Sequence, residues 1–201
     1  MTQPSITREV INKFLPHIKG RVLDLGAGSA KYKEMILKKA LEYRSCDAVK
    51  NINIDDICDV LNLKYPPESF DTVISTQVLE HINNPYKMAA EIYKVLKPGG
   101  KIIITAPFLI PMHSDPDDYF RFTAAGLSEI FKQSGFTITE SGCYGGFFMV
   151  LSEMIHFSLF NPYDGKSSRL MSFIEKIAKI FDKIFTTKTI HANSFVIAKK
   201  S

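Results

Sequence analysis

With 201 residues, 45% of them hydrophobic and 23% charged, the chain is long enough to bury one core and too apolar to be disordered. A net charge of +4 is too small to call for nucleic acid as a partner. The three cysteines, Cys46, Cys58 and Cys143, are scattered and odd in number, which argues against a disulfide framework and for a reduced, cytoplasmic setting. The start, MTQPSITREVINKF, has no apolar run of signal-peptide length.

Along the chain, strands alternate with helices, the pattern of a parallel sheet covered on both faces. Residues 5–19 read as a leading helix, and Arg21–Leu25 as a short buried strand. Tyr32–Leu41 reads as a helix with Tyr32, Ile36 and Leu37 on one side. A second strand ends near Asp47, and Phe70–Ser75 is a third. Asn84 is placed to cap a helix whose first position is Pro85. Met88, Ile92, Val95 and Leu96 then recur at helical spacing. Pro98-Gly99-Gly100 reads as a turn and nothing more. Lys101–Ala106 is a continuous apolar strand suited to the sheet centre. Thr123 can cap a helix carrying Leu127, Ile130 and Phe131. Phe136–Glu140 and Ser194–Lys199 are the last strands. No linker interrupts the sequence, so residues 1–201 read as one domain with a helical elaboration at about 141–192.

The segment VLDLGAGSAKY runs an apolar strand into Gly26-Ala27-Gly28 and then toward a helix. Glycines there let the backbone bend sharply and approach a ligand closely. The end of a parallel strand is where α/β sheets bind ligands. A nicotinamide fingerprint needs a third glycine at position 31, which is Lys31, so a reductase is the weaker reading. Asp47, at the end of the second strand, can accept both hydroxyls of a ribose. Asp59-Val60, SFDTVIS-TQVLEHI and LKPGGKIIIT follow in order.

This ordered series resembles the class I S-adenosylmethionine-dependent methyltransferases, in the small-molecule group that includes the ubiquinone-biosynthesis type. The likeness covers about residues 20–140. It implies a single Rossmann-like, doubly wound α/β domain with a seven-stranded, mostly parallel sheet whose last strand is antiparallel. It also implies S-adenosyl-L-methionine as cofactor and S-adenosyl-L-homocysteine as product. In that family's pattern Gly26, Ala27 and Gly28 form the loop under the methionine half. Asp24 braces this loop and the ligand's amino group, and Asp47 holds the ribose. Asp59 approaches the adenine N6, with Val60 beside the ring, and Thr76-Gln77 line the methionine side. Two departures stand out. Ala30 replaces a usual glycine and is tolerated if its backbone is helical. The interval between Asp47 and Asp59 is short for a full helix.

The stretch PFLIPMHSDPDDYFRFT follows the KIIIT strand at its carboxyl end and overhangs the cofactor pocket. Its His113…Asp117-Asp118-Tyr119-Phe120-Arg121 run resembles one found in a subset of these methyltransferases. That likeness implies His113 as general base and Arg121 as substrate anchor, with Asp117 in the same cluster. Ser114-Asp115-Pro116-Asp117-Asp118 is equally good turn chemistry. Arg121 can instead pair structurally with Asp117 or Asp118. Acids of this kind suit hard cations, but no metal set is read from them. Glu80-His81 sits on the same rim, where packing at a helix start is preferred to a second base.

Residues 143–160 are strongly apolar but interrupted by Glu153 and His156, and fall short of the roughly 20 residues of a membrane span. In 168–185, Leu170, Ile174, Ile177, Phe181 and Ile184 form one stripe, with Lys176, Lys179 and Lys183 on another face. Packing on the chain's own core or on a homodimer mate is the commoner use of such a stripe, and peripheral membrane contact the rarer one. The expected activity is methyl transfer to a small-molecule acceptor, sugar-like or lipid-linked. A methyltransferase-like binding or regulatory protein without turnover is the alternative.

Overall fold

The computed structural model describes residues 6–113, 117–159, 169–185 and 189–201. The elements are α1 (Thr7–Phe14), β1 (Arg21–Leu25), α2 (Lys33–Ile36), β2 (Glu42–Asp47), β3 (Asp56–Ile57), β4 (Phe70–Thr76), α3 (Pro85–Val95), β5 (Leu96–Pro107), α4 (Ala124–Gln133), β6 (Phe136–Tyr144), α5 (Phe147–Leu159), α6 (Arg169–Ile184) and β7 (Asn193–Lys200). The seven strands form one sheet in the order β3-β2-β1-β4-β5-β7-β6. Strands β1 to β5 pair in parallel, and β7 lies antiparallel between β5 and β6.

Period-two alternation sorts the core onto two faces of the sheet. Leu23, Leu25, Val73, Ile102, Ile104, Val196 and Ala198 point to one side, under α3 and α4. Val22, Ile74, Ile103, Phe195 and Ile197 point to the other, against α1 and α2. The expected helix caps are present. The Asn84 side chain accepts from the Lys87 amide at 3.0 Å, and Thr123 Oγ1 from the Gly126 amide at 3.1 Å.

Four local expectations are corrected. The leading helix stops at Phe14 and gives way to a 3-10 turn, Leu15–His17, with Pro16 inside it. The helix expected over Tyr32–Leu41 is only Lys33–Ile36: Tyr32 and Ile36 are buried in the core, Met35 and Ala40 pack at its edge, and Leu37 and Leu41 face solvent. Pro98-Gly99-Gly100 does not separate helix from strand. It lies inside β5, where pairing jumps from Phe70↔Leu96 to Thr72↔Lys101 and the intervening residues loop out. The cysteines are not all separate: a disulfide joins Cys46 to Cys58, with Cα atoms 5.8 Å apart, within the normal span of the bond. Neighbouring strands β2 and β3 bring the two together.

The elaboration consists of α5 and α6. Asp182 of α6 accepts from the amides of Gly146, Phe148 and Met149 at 2.9, 2.9 and 3.2 Å, so one helix caps the start of the other. The buried face of α6 is therefore Met171, Ala178 and Asp182. The stripe of Leu170, Ile177, Phe181 and Ile184 is exposed, with Phe173 and Ile180 beside it. Packing on the chain's own core is thus corrected for α6. Among the described residues no helix is long and apolar enough to cross a membrane. Ser168 and Asn161-Pro162 lie outside the described residues.

Candidate active site

The carboxyl ends of β3, β2, β1 and β4 stand side by side, and they carry all the expected cofactor residues. Between β1 and α2 the backbone is left-handed at Gly26 (φ +71°), Gly28 (φ +56°) and Ala30 (φ +54°). The two glycines serve different ends. A Cβ on Gly26 would lie 2.4 Å from a Val78 methyl, so this residue must be bare for the β4 exit to pack. A Cβ on Gly28 would meet nothing within 4 Å, so this residue borders open space. The Gly26 and Ala27 amides both donate to the Cys46 carbonyl, at 2.8 and 3.2 Å, tying the loop to β2.

Ala30 is not helical, as its replacement of glycine had allowed, but left-handed, where a Cβ costs about 1–2 kcal/mol. Ala30→Gly is expected to be neutral or to stabilise by up to about 1 kcal/mol, since glycine's extra unfolded-state entropy offsets part of the relief. Chemical denaturation of both proteins measures it, and a clear loss of stability would refute it.

Asp47 Oδ2 accepts the Gly28 amide at 2.8 Å and Oδ1 the Val49 amide at 3.0 Å, which fixes the carboxylate at the loop's mouth. Asp24 is buried, and Tyr43 donates its hydroxyl to Oδ2 at 2.6 Å. Burial pushes the Asp24 carboxyl up to about 6. Asp59 is exposed, accepts the Leu61 amide at 2.8 Å, and follows a Cys58 amide bonded to the Asp47 carbonyl at 2.9 Å. Val60 is buried beside it. Thr76 ends β4. Gln77 has φ +56°, and its Nε2 donates to Thr105 Oγ1 and to the Tyr144 hydroxyl, both at 3.1 Å. Strained non-glycine backbone at a strand end is a mark of functional positions.

The acceptor rim is arranged differently from the sequence reading. Arg121 donates to the carbonyls of Ile110 (3.0 Å), Pro111 (3.0 Å) and Phe120 (2.8 Å) and forms a two-pronged pair with Asp118. Its donors are spent inside the loop, which it staples shut. That pairing holds the Asp118 carboxyl down at about 2. Asp118 in turn accepts the His113 amide at 2.8 Å. The Asp117 carboxylate is exposed and, among the described residues, takes the Tyr119 hydroxyl, at 3.2 Å, and not His113. Asp115 lies outside the described residues.

What the sequence reading did not foresee is the burial of Glu80. Glu80 sits in a 3-10 turn, Leu79–His81, and not at the start of a helix. Its side chain has no solvent exposure, and among the described residues neither oxygen has a hydrogen-bond partner. Burial pushes its carboxyl up to about 8. Nε2 of His81 and Nε2 of His113 each stand 3.8 Å from Glu80 Oε1. Next to this group is a cavity of about 250 Å³ lined by Gln77, Ile110, His113, Met149, Glu153 and Phe157. Thus α5 provides one wall, and the cavity opens beside the expected methionine end of the cofactor.

A methyltransferase-domain family model matches residues 23–104, the span from β1 through the middle of β5. Over that span the chain is similar to methyltransferase domains. It is 34% identical over 98 residues to phosphoethanolamine N-methyltransferase 2 of Caenorhabditis elegans, covering 49% of this chain and 20% of that one. It is 34% identical over 70 residues to the mitochondrial ubiquinone biosynthesis O-methyltransferase of Rattus norvegicus, covering 35% and 17%. The chain therefore spans about a fifth of the length of these curated relatives. In fold it is similar to an S-adenosylmethionine-dependent methyltransferase from Archaeoglobus fulgidus, with a TM-score of 0.66 at 17% identity over 96% of this chain and 92% of that one. It is also similar to Haemonchus contortus phosphoethanolamine N-methyltransferase 2 in complex with S-adenosyl-L-methionine, with a TM-score of 0.63 at 20% identity over 98% and 53%.

The residues at this rim fit the cofactor of the proteins the chain resembles. The open space at Gly28, the fixed carboxylate of Asp47 and the buried carboxyl of Asp24 line one rim in the order a nucleoside and an amino acid require.

Proposed function

We propose that the chain transfers a methyl group from S-adenosyl-L-methionine to an oxygen or nitrogen of a small acceptor held in the cavity beside Gln77 and His113. When bound, the cofactor supplies an activated methyl on a sulfonium. The protein's share is alignment and exclusion of water, and alignment alone can be worth roughly 7–11 kcal/mol. Asp47 and Asp59 hold the nucleoside end, Asp24 and the 26–28 loop the amino-acid end, and Thr76-Gln77 separate the two chambers. Arg121 and Asp118 hold the loop that presents His113. His113, one-fifth exposed on the cavity wall, is placed to take the proton an oxygen or nitrogen acceptor must lose. The single observation that carries this reading is a cavity bounded at one end by the cofactor rim and at the other by His113 and α5. The relatives named for phosphoethanolamine and for ubiquinone biosynthesis support a small-molecule acceptor.

His113→Ala is expected to leave cofactor binding within about twofold and to lower turnover by about 100-fold or more, the usual worth of a positioned base. Calorimetric titration and a methyl-transfer screen on the same preparation check both. Wild-type turnover in the variant would sink the assignment.

The exposed face of α6 supports a lipid-linked acceptor. Leu170, Phe173, Ile177, Ile180 and Ile184 point outward, and Lys176 and Lys183 are exposed on the adjoining arc. A helix with an apolar face and a basic border lies in an anionic bilayer surface. Flotation with vesicles containing anionic lipid is expected, and is expected to be lost in Phe173→Glu/Ile180→Glu. A dimer at high concentration with no flotation would assign the face to a second copy instead.

A further inference from the structure

Glu80, His81 and His113 bring a carboxylate oxygen and two imidazole nitrogens together in one cluster. Glu80 is sealed from solvent, and its carboxylate oxygens have no hydrogen-bond partner among the described residues. A buried carboxyl group without a partner is costly, and such groups call for a ligand or an ion. The histidines answer in a specific way. His81 Nδ1 lies 2.5 Å from the Asp117 carbonyl, and His113 Nδ1 lies 3.2 Å from the Pro111 carbonyl. A carbonyl only accepts, so each Nδ1 is the donor, and Nε2 is the nitrogen each neutral ring offers as a ligand. Both Nε2 atoms face Glu80 Oε1 at 3.8 Å. The ligand atoms of all three side chains lie within 4.8 Å of one another.

We propose that Glu80 Oε1, His81 Nε2 and His113 Nε2 form a binding site for a divalent transition-metal cation of the zinc type. Two imidazoles and one carboxylate are a common catalytic zinc set with a position left open. Imidazole ligands select against magnesium and calcium. The backbone carbonyls on the two Nδ1 atoms are the outer shell that fixes ring orientation in metal sites. Metal–ligand bonds of about 2.0–2.2 Å require the rings to close by about half an ångström. His81 and His113 are partly exposed and come from different segments, so this closure disturbs no core packing. The Arg121–Asp118 pair then acquires a purpose, because it holds the backbone that places His113.

The site deepens the methyl-transfer reading and rests on it for its purpose, though not for its existence. His113 borders the acceptor cavity, so a metal held by Glu80, His81 and His113 would lie beside it. It would supply a Lewis acid that eases loss of an acceptor hydroxyl's proton to water, leaving the oxygen to take the methyl group as the carbon–sulfur bond breaks. With metal on Nε2, His113 would act on the acceptor's proton through the metal, and loss of turnover in His113→Ala is expected on either account.

The test needs neither cofactor nor acceptor. The full chain, stripped with chelator and dialysed, is titrated with Co2+ while the visible absorption of the ion is followed, and then with Zn2+. One bound Co2+ with the strong bands of a low-coordinate nitrogen–oxygen site is expected, displaced by Zn2+. His81→Ala, His113→Ala and Glu80→Gln are each expected to weaken binding by more than about 100-fold, a larger loss than removing an outer-shell partner causes. Melting curves confirm that each variant is folded, with His81→Asn and His113→Asn replacing any that is not. Absence of Co2+ binding, or binding unchanged in the folded variants, overturns the proposal. Metal binding without any methyl transfer would keep the site and sink the activity.

Discussion

Asp47→Ala is expected to lower affinity for both S-adenosyl-L-methionine and S-adenosyl-L-homocysteine by about 100-fold. The carboxylate works on two sides. It already accepts the Gly28 and Val49 amides, which holds the glycine loop against the end of β2. Its remaining lone pairs face the place where ribose hydroxyls are expected. Hydrogen bonds to a charged group are worth about 1.5–3 kcal/mol each, so losing the ribose pair and loosening the loop together reaches that factor. Asp47→Asn keeps the shape but turns one acceptor into a donor, and is expected to fall between the two. Calorimetric titration decides: equal affinity in wild type and Asp47→Ala would remove Asp47 from the site.

Asp24→Asn is expected to split stability from function. Folded, Asp24 has its carboxyl pushed by burial from 3.8 to about 6. Between those values the native state holds a proton that the unfolded chain has released. The stability of the wild type therefore falls as pH rises from about 4 to 6, and is level beyond. Asparagine carries no such burden and can still accept from Tyr43. At pH 7 the variant is expected to be more stable by about 3 kcal/mol, a rise in Tm of about 6–12 °C for a chain of this size. The gain should vanish as pH falls through about 4. Cofactor affinity is expected to drop about tenfold in the same variant, because an amide does not balance the ligand's ammonium group. Melting curves across pH 4–8 measure the first effect, and a gain that does not depend on pH would refute the account. Retaining a costly buried acid where it serves a ligand is the trade between stability and activity seen at many sites.

The features legible in the sequence are those with local causes. The runs RVLDL, FDTVIS and KIIIT carry consecutive apolar residues, Val22-Leu23, Val73-Ile74 and Ile102–Ile104, because both faces of their strands are covered. Asn84 and Thr123 announce their helices because a cap acts within one turn. The glycine loop, Asp47 and the β4 exit were legible because each follows directly from a strand end. What was hidden depends on partners far away in the chain. Leu37 and Leu41 look like an apolar face until α2 proves too short to bury them. The pattern of α6 shows that it has two faces, but not which one the protein covers. That choice is made by Asp182, drawn inward to the free amides at the start of α5. Cys46 and Cys58 meet only because two short strands pair. Glu80 reads as an ordinary rim acid. It is buried because the segment at Tyr119–Phe120 returns across it and bonds to its carbonyl. The one local signal was its place between Leu79 and His81 at the exit of a buried strand.

The position of β7 bears on how the chain comes to be folded. The strand Asn193–Lys200 inserts between β5 and β6, both of which leave the ribosome well before it. Lys200 then locks the insertion by donating to the carbonyls of Tyr93 and Leu96, at 2.9 and 2.7 Å. Until those residues emerge, β5 has a bare edge along one of the most apolar stretches of the molecule, and β6 has no neighbour at all. Contacts so distant in sequence form slowly, and an open apolar edge invites pairing with other chains. Until β7 is available the centre of the sheet is unfinished, and dependence on chaperones should be raised over that interval.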